Sequence, residues 1–138
     1  MNKPAPVWSD EAILAGSICP YCHVASELVE ETAIYGRNYS GRQYFRCLLN
    51  KDHYVGCYRS KEVKSLGRLA DVHLRALKME CHQLFDVSWK NAENKQKARE
   101  DAYQQLSEEL EIPQEFCHIG MMDEAWCHYL ILFLKFRH

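Results

Sequence analysis

Cys19-Pro20-Tyr21-Cys22 constrains this chain more than any other stretch. Two thiols three positions apart can grip one cation from the two sides of a tight backbone turn. Pro20 stiffens that turn by fixing its own φ. Zinc takes four nitrogen or sulfur ligands in a tetrahedron, and Cys47 offers a third. A regular ribbon would carry a second cysteine three positions after Cys47, where this chain has Asn50. Two candidates remain for the fourth ligand: His53, in a C-x5-H spacing, and Cys57, in a C-x9-C spacing. His53 is favoured because it falls in a turn opposite the first knuckle. Cys57 lies further up the next strand, about 13 Å away at ~3.3 Å per residue. The competing reading is a set of buried structural thiols, since cysteine is among the most buried residue types. A proline-stiffened turn between two such thiols argues for metal. With no acid beyond Asp52 near these ligands, the expected site is structural and closed, with zinc as cofactor and Cys19, Cys22, Cys47 and His53 as ligands.

Residues 19–57 thus read as a zinc-ribbon-like unit of three short strands. The expected fold class is α+β: a three-stranded β unit at residues 1–64, followed by a three-helix body at 65–138, packed as one domain. A chain of 138 residues with 47% hydrophobic and 26% charged side chains suits that size. Its first half has few long apolar runs, so the ion is expected to supply folding energy there. Seven cysteines is an odd number, and the stretch after CPYC is hairpin-like, so neither a disulfide framework nor a thioredoxin-type motif is expected. Residues 1–6 lack the apolar core of a signal peptide. The longest apolar run, Tyr129–Leu134, is far shorter than the roughly 20 residues a spanning helix needs. A soluble protein of the cytoplasm is expected, with no membrane partner.

Local signals place the elements. Ser9-Asp10-Glu11 caps a short helical turn that Gly16 ends. Ala25–Tyr35 suits a strand, although its glutamates also suit a helix. Asn38–Gly41 reads as a turn, Arg42–Leu48 as a strand, Asn50–Asp52 as a turn and Tyr54–Arg59 as a third strand. The period then changes. Leu66, Ala70, Leu74, Leu77, Cys81 and Phe85 recur at helical spacing, predicting one long helix over 66–89. Lys97–Leu110 forms a second, stopped at Ile112-Pro113. Asp123 caps a third that runs to about Phe136.

Charge is uneven. From Ala33 to Arg68 there are eight bases and two acids, 8 − 2 = +6. From Glu100 to Glu124 there are eight acids and no Lys or Arg. The basic stretch is interleaved with tyrosines. Basic side chains neutralise phosphates and aromatic faces stack on unpaired bases, so Arg37, Arg42, Tyr44, Arg46, Lys51, Arg59 and Lys61 are candidates for binding RNA or DNA. The bland alternative is a solvated strand face with half its aromatics inward. The acidic block reads as helix exteriors, or as a docking surface for a basic partner or a second copy, which would give a homodimer.

On the predicted long helix Arg68, Asp71, Arg75, His82 and Asp86 share a stripe. Asp71–Arg75 and His82–Asp86 are spaced to pair. Salt bridging is the expected role, with Arg75, His82 and Asp86 as the alternative reading of an enzyme site. Cys81-His82, Cys117-His118 and Cys127-His128 read as core thiols beside capped histidines.

Several runs then act together: Cys19–Cys22, Tyr54-Val55-Gly56-Cys57, Leu66–Asp71, Leu74-Arg75, His82, Phe85-Asp86, Ala102-Tyr103 and Cys117–Met121. As an ordered set spanning residues 19–127, they resemble the zinc-finger-containing domain proteins of bacteriophages and prophages. The resemblance implies a zinc-binding head on a helical body, in a phage or prophage protein, and carries no catalytic residue. The expected function is that of a non-enzymatic zinc protein binding nucleic acid through a basic aromatic hairpin. A phage-encoded inhibitor or adaptor that binds a host protein is the alternative.

Overall fold

A computed structural model of the chain describes residues 2–137. It mixes α and β structure, with a three-stranded antiparallel sheet in the order β1-β2-β3 and several helices. The elements run α1 (Glu11–Leu14), β1 (Ser26–Glu30), α2 (Glu31–Tyr35), β2 (Gln43–Cys47), β3 (Tyr54–Gly56), α3 (Val72–Phe85), α4 (Lys95–Leu110) and α5 (Glu124–Phe136). Among the described residues no helix is long and apolar enough to cross a membrane. The chain forms two compact units, one of residues Pro6–Arg75, the other of Ala76 onward with the residues before Pro6.

The first unit is built on the sheet. Ser26 pairs with Cys47 and Glu30 with Gln43, while Tyr44 pairs with Gly56 and Arg46 with Tyr54. This register sends Cys47 and Val55 into a core shared with Cys19 and Leu69. Asp10 caps α1 by accepting from the Ile13 N–H. Gly16 follows at φ 77°, with the Ser65 side chain and the Gly67 carbonyl so close that a Cβ there would lie 3.0 Å from Ser65 Cβ.

Three expectations need correction. The strand predicted over Ala25–Tyr35 ends at Glu30, and its second half coils as α2. Glu31 is the first residue of α2. Its buried carboxylate accepts the Tyr39 and Ser40 N–H groups and the Ser40 hydroxyl, which folds the loop after α2 back over it. The third strand stops at Gly56 rather than Arg59, because the chain turns away there: Cys57 bridges Ser65 and Tyr58 N–H bonds to the Lys64 carbonyl. The long helix begins at Val72, not Leu66. Residues 66–68 form a bend instead, with Leu66 N–H bonded to the Gly56 carbonyl, and Ala70 bridges Tyr54, the two exchanging both backbone bonds at 3.1 and 3.0 Å. Leu66, Leu69 and Ala70 recur at helical spacing, yet a partner strand overrides helix propensity. Asp71 then starts α3, its Oδ1 accepting the Leu74 N–H at 2.8 Å.

The second unit is helical. Asn94 caps α4 and Asp123 caps α5, each accepting an N–H three residues on. Glu111, at φ 57°, closes α4 just before Pro113. Phe85, Tyr103, Leu106, Trp126 and Leu130 fill the interior. The Phe85 and Tyr103 rings lie 4.6 Å apart, and the Trp126 indole donates to the Ala5 carbonyl at 3.0 Å. Cys81, Cys117 and Cys127 are buried thiols of this core.

Candidate metal centre

Two turns of the first unit face each other. In the first, Cys19 N–H bonds to the Val24 carbonyl and His23 N–H to the Cys19 carbonyl. His23 takes a left-handed backbone at φ 59°. This tight knuckle leaves both cysteine side chains on its inner side. In the second, the Leu49 and Asn50 N–H groups donate to Cys47 Sγ at 3.3 and 3.4 Å. Cys47 N–H bonds to the His53 carbonyl at 2.9 Å, and His53 N–H to the Asn50 carbonyl at 3.1 Å. Asn50, standing where a regular ribbon has cysteine, thus shapes the loop that brings His53 in.

The ligand atoms of Cys19, Cys22, Cys47 and His53 all lie within 4.8 Å of one another. His53 Nδ1 is 3.4 Å from Cys19 Sγ and 3.6 Å from Cys22 Sγ. A tetrahedral zinc with bonds near 2.3 Å to sulfur and 2.05 Å to nitrogen needs an S···N edge of about 3.5 Å. One nitrogen sitting at that distance from two thiols fits a shared ion better than a single hydrogen bond. The set of three thiols and one imidazole therefore fits zinc in chemistry and in size.

Electrostatics point the same way. Burial first, then the crowding of the Cys47 and Cys19 thiols, pushes the Cys22 thiol up to about 11. Burial also raises Cys47, but the N–H groups of Asn50 and Leu49 outweigh it, and its net shift is downward. Such N–H donors stabilise a thiolate. Cysteines packed this closely resist losing their protons together, whereas a cation among them deprotonates each ligand.

Residues outside the cluster hold it in place, and spacing alone did not reveal them. Tyr21 packs its ring 4.5 Å from the His53 ring, and its hydroxyl accepts the Asp71 N–H at 3.2 Å. Arg75 binds the turn that carries His53. Its guanidinium meets Asp52 Oδ1 at 2.9 Å, donates to the Asp52 and Ala70 carbonyls at 2.7 Å, and lies 4.0 Å from the Tyr54 ring centroid. The predicted Asp71–Arg75 pair is replaced by these contacts. Arg68 is buried and precedes α3, so the predicted polar stripe does not run along one helix. His82 and Asp86 do approach, at 3.6 Å, as a half-exposed pair on α3 and the turn after it. Cys57 lies outside the ligand cluster. Its N–H bonds to the Gln43 carbonyl, at the far end of β2 from Cys47, and burial raises its thiol pKa.

The basic candidates divide by exposure. Arg37, Lys51, Arg59 and Lys61 are exposed. Tyr44 is buried, its ring edge-on to Tyr35 and Tyr54 at 5.9 and 6.0 Å. Burial, then Tyr35, pushes its hydroxyl up to about 12. Arg46 pairs with Glu27 at 3.4 Å and donates to the Ala33 carbonyl. Arg42 donates to the Cys57 carbonyl at 2.6 Å.

Comparison with known proteins gives one family: a zinc-finger-containing domain, matching residues 15–136. No match was found among curated proteins or among solved structures.

Proposed function

The chain belongs to the zinc-finger-containing domain family, and from that premise we propose that it is a non-enzymatic, zinc-ribbon-like protein of phage type that binds nucleic acid. Cys19, Cys22, Cys47 and His53 would hold a structural zinc. The observation that carries this reading is the convergence of their four ligand atoms within 4.8 Å. Bound zinc would supply cross-linking of the two knuckles. The chain's own residues position the site: Tyr21 orients the imidazole, Arg75 fixes its turn, and the Leu49 and Asn50 N–H groups stabilise the Cys47 thiolate. A closed set of four protein ligands leaves no open position for a water, which supports structure over catalysis.

Exposed Arg37, Lys51, Arg59 and Lys61 on the same unit support nucleic acid as the partner. The acidic block favours a host protein less, because several of its carboxylates already hold cations of this chain. Asp101 pairs with Lys97, Glu109 with Arg137 and Glu111 with Lys3. Native mass spectrometry of the purified protein, with gel shifts at low salt, tests both parts. One zinc per chain and salt-sensitive binding are expected. A protein that binds no zinc ends the metal reading, and absence of any shift at low salt ends the nucleic-acid reading.

A further inference from the structure

We propose that the groove between residues 40–43 and 58–61 is the place where a single-stranded nucleic acid docks, with a backbone phosphate on Arg42, Arg59 and Lys61 and an unpaired base against Tyr58. The proposal rests on the nucleic-acid reading above and narrows it to one site. The groove encloses about 520 Å³ and is lined by Ser40, Gly41, Arg42 and Gln43 on one side and Tyr58, Arg59, Ser60 and Lys61 on the other. Three of those residues are cationic and none is acidic.

Both walls are held in place by the fold. The first is the loop that Glu31 gathers through the Tyr39 and Ser40 N–H groups and the Ser40 hydroxyl. Asn38 tightens it by accepting the Gly41 N–H at 2.7 Å. The Glu31 carboxylate is consumed in these bonds, so its charge is already compensated on the loop side. The second wall is tied by Tyr58 N–H to the Lys64 carbonyl at 2.9 Å and by the Ser60 hydroxyl to the Glu62 carbonyl at 2.8 Å.

Arg42 is the fixed element between the walls. One N–H of its guanidinium is bonded to the Cys57 carbonyl, which leaves the rest of the fork to receive a ligand. Its stem crosses Gly56 so closely that a Cβ there would lie 3.0 Å from Arg42 Cδ. A guanidinium held this way meets a phosphate with little further ordering, the condition for a strong charge-assisted contact. Arg59 and Lys61 are exposed and able to close on the same anion. Tyr58 is 39% exposed, with Lys64 Nζ 5.9 Å from its ring centroid. An aromatic face beside phosphate donors is the arrangement that takes an unpaired base, and a paired base keeps its faces inside the stack.

Fluorescence anisotropy on the zinc-loaded full chain tests this, using labelled oligouridine and oligothymidine of about 12 nucleotides, and a duplex of equal length. Wild type is expected to prefer the single strands. Arg59→Ala with Lys61→Ala should cut single-strand affinity about tenfold or more and flatten the log–log salt slope by up to about 0.7, the contribution of one phosphate. Tyr58→Ala should lose single-strand affinity while Tyr58→Phe keeps it. Gly56→Ala removes no charge but displaces Arg42, and should also weaken binding. Zinc content and circular dichroism equal to wild type establish that each variant is folded. If wild type binds but these variants bind equally well, the groove assignment is overturned and the broader reading stands. Equal affinity for duplex overturns the single-strand assignment. No binding by wild type overturns both.

Discussion

His53 shows how much can hang on one side chain. Its Nδ1 stands at a tetrahedral edge from two thiols, so His53→Ala should lower zinc affinity at least about tenfold, read by competition with a chromophoric chelator. Cys57→Ser should leave zinc stoichiometry unchanged. Loss of zinc from the Cys57 variant alone would reverse the ligand choice. Glu31 makes a different prediction. Its carboxyl lies below the usual value, chiefly because the Ser40 N–H donates to it, with burial opposing. A folded-state pKa below the unfolded one adds stability that is fully present above the unfolded value of 4.5 and is lost as pH falls through the folded value. The wild-type minus Glu31→Gln difference in urea midpoint should therefore shrink on acidification below that value. A difference independent of pH would show that the carboxylate charge is not what holds the loop. Nothing in the sequence marked Glu31. It is one glutamate in an acidic run, and its role appears only when residues 39 and 40 return to it.

At the scale of elements, the boundary between Ala70 and Val72 matters most. The same residues that recur at helical spacing instead bend and then bridge Tyr54 through Ala70 before the helix starts. Asp71 ends one and begins the other. Asp71→Ala should cost about 1 kcal/mol as the loss of a helix cap, measured by urea unfolding of the zinc-loaded protein. Arg75, one turn into α3, reaches back to the His53 turn. Arg75→Ala should reduce zinc affinity, whereas it would have no effect on zinc if the arginine served only the helix. The period of apolar residues reports a buried face, but it cannot say whether a partner strand will claim the first turn. The caps of α1 and α5 were legible because Asp10 and Asp123 satisfy N–H groups within their own helix.

For the whole molecule, the division at Arg75–Ala76 gives a prediction about order of loss. On addition of a strong chelator, amide protons of β1, β2 and β3 should exchange before those of α4 and α5, followed by hydrogen-exchange mass spectrometry. The first unit's core is small, with two of its buried residues being cysteines of the candidate site, so removal of an ion held there would take away much of what holds it. Simultaneous exchange throughout would mean that the units unfold as one. By itself the sequence determined the donor types, the proline-stiffened knuckle, the caps of α1 and α5 and the uneven charge, because each depends on groups a few residues apart. The turn placement of His53 already favoured it over Cys57, but only the tertiary structure shows why: pairing Tyr54 with Arg46 leaves His53 beside Cys47 and carries Cys57 to the other end of β2. The tertiary structure alone decided which basic side chains stay open to solvent, because that depends on contacts such as Arg46 with Glu27 and Arg42 with the Cys57 carbonyl, which have no local signal.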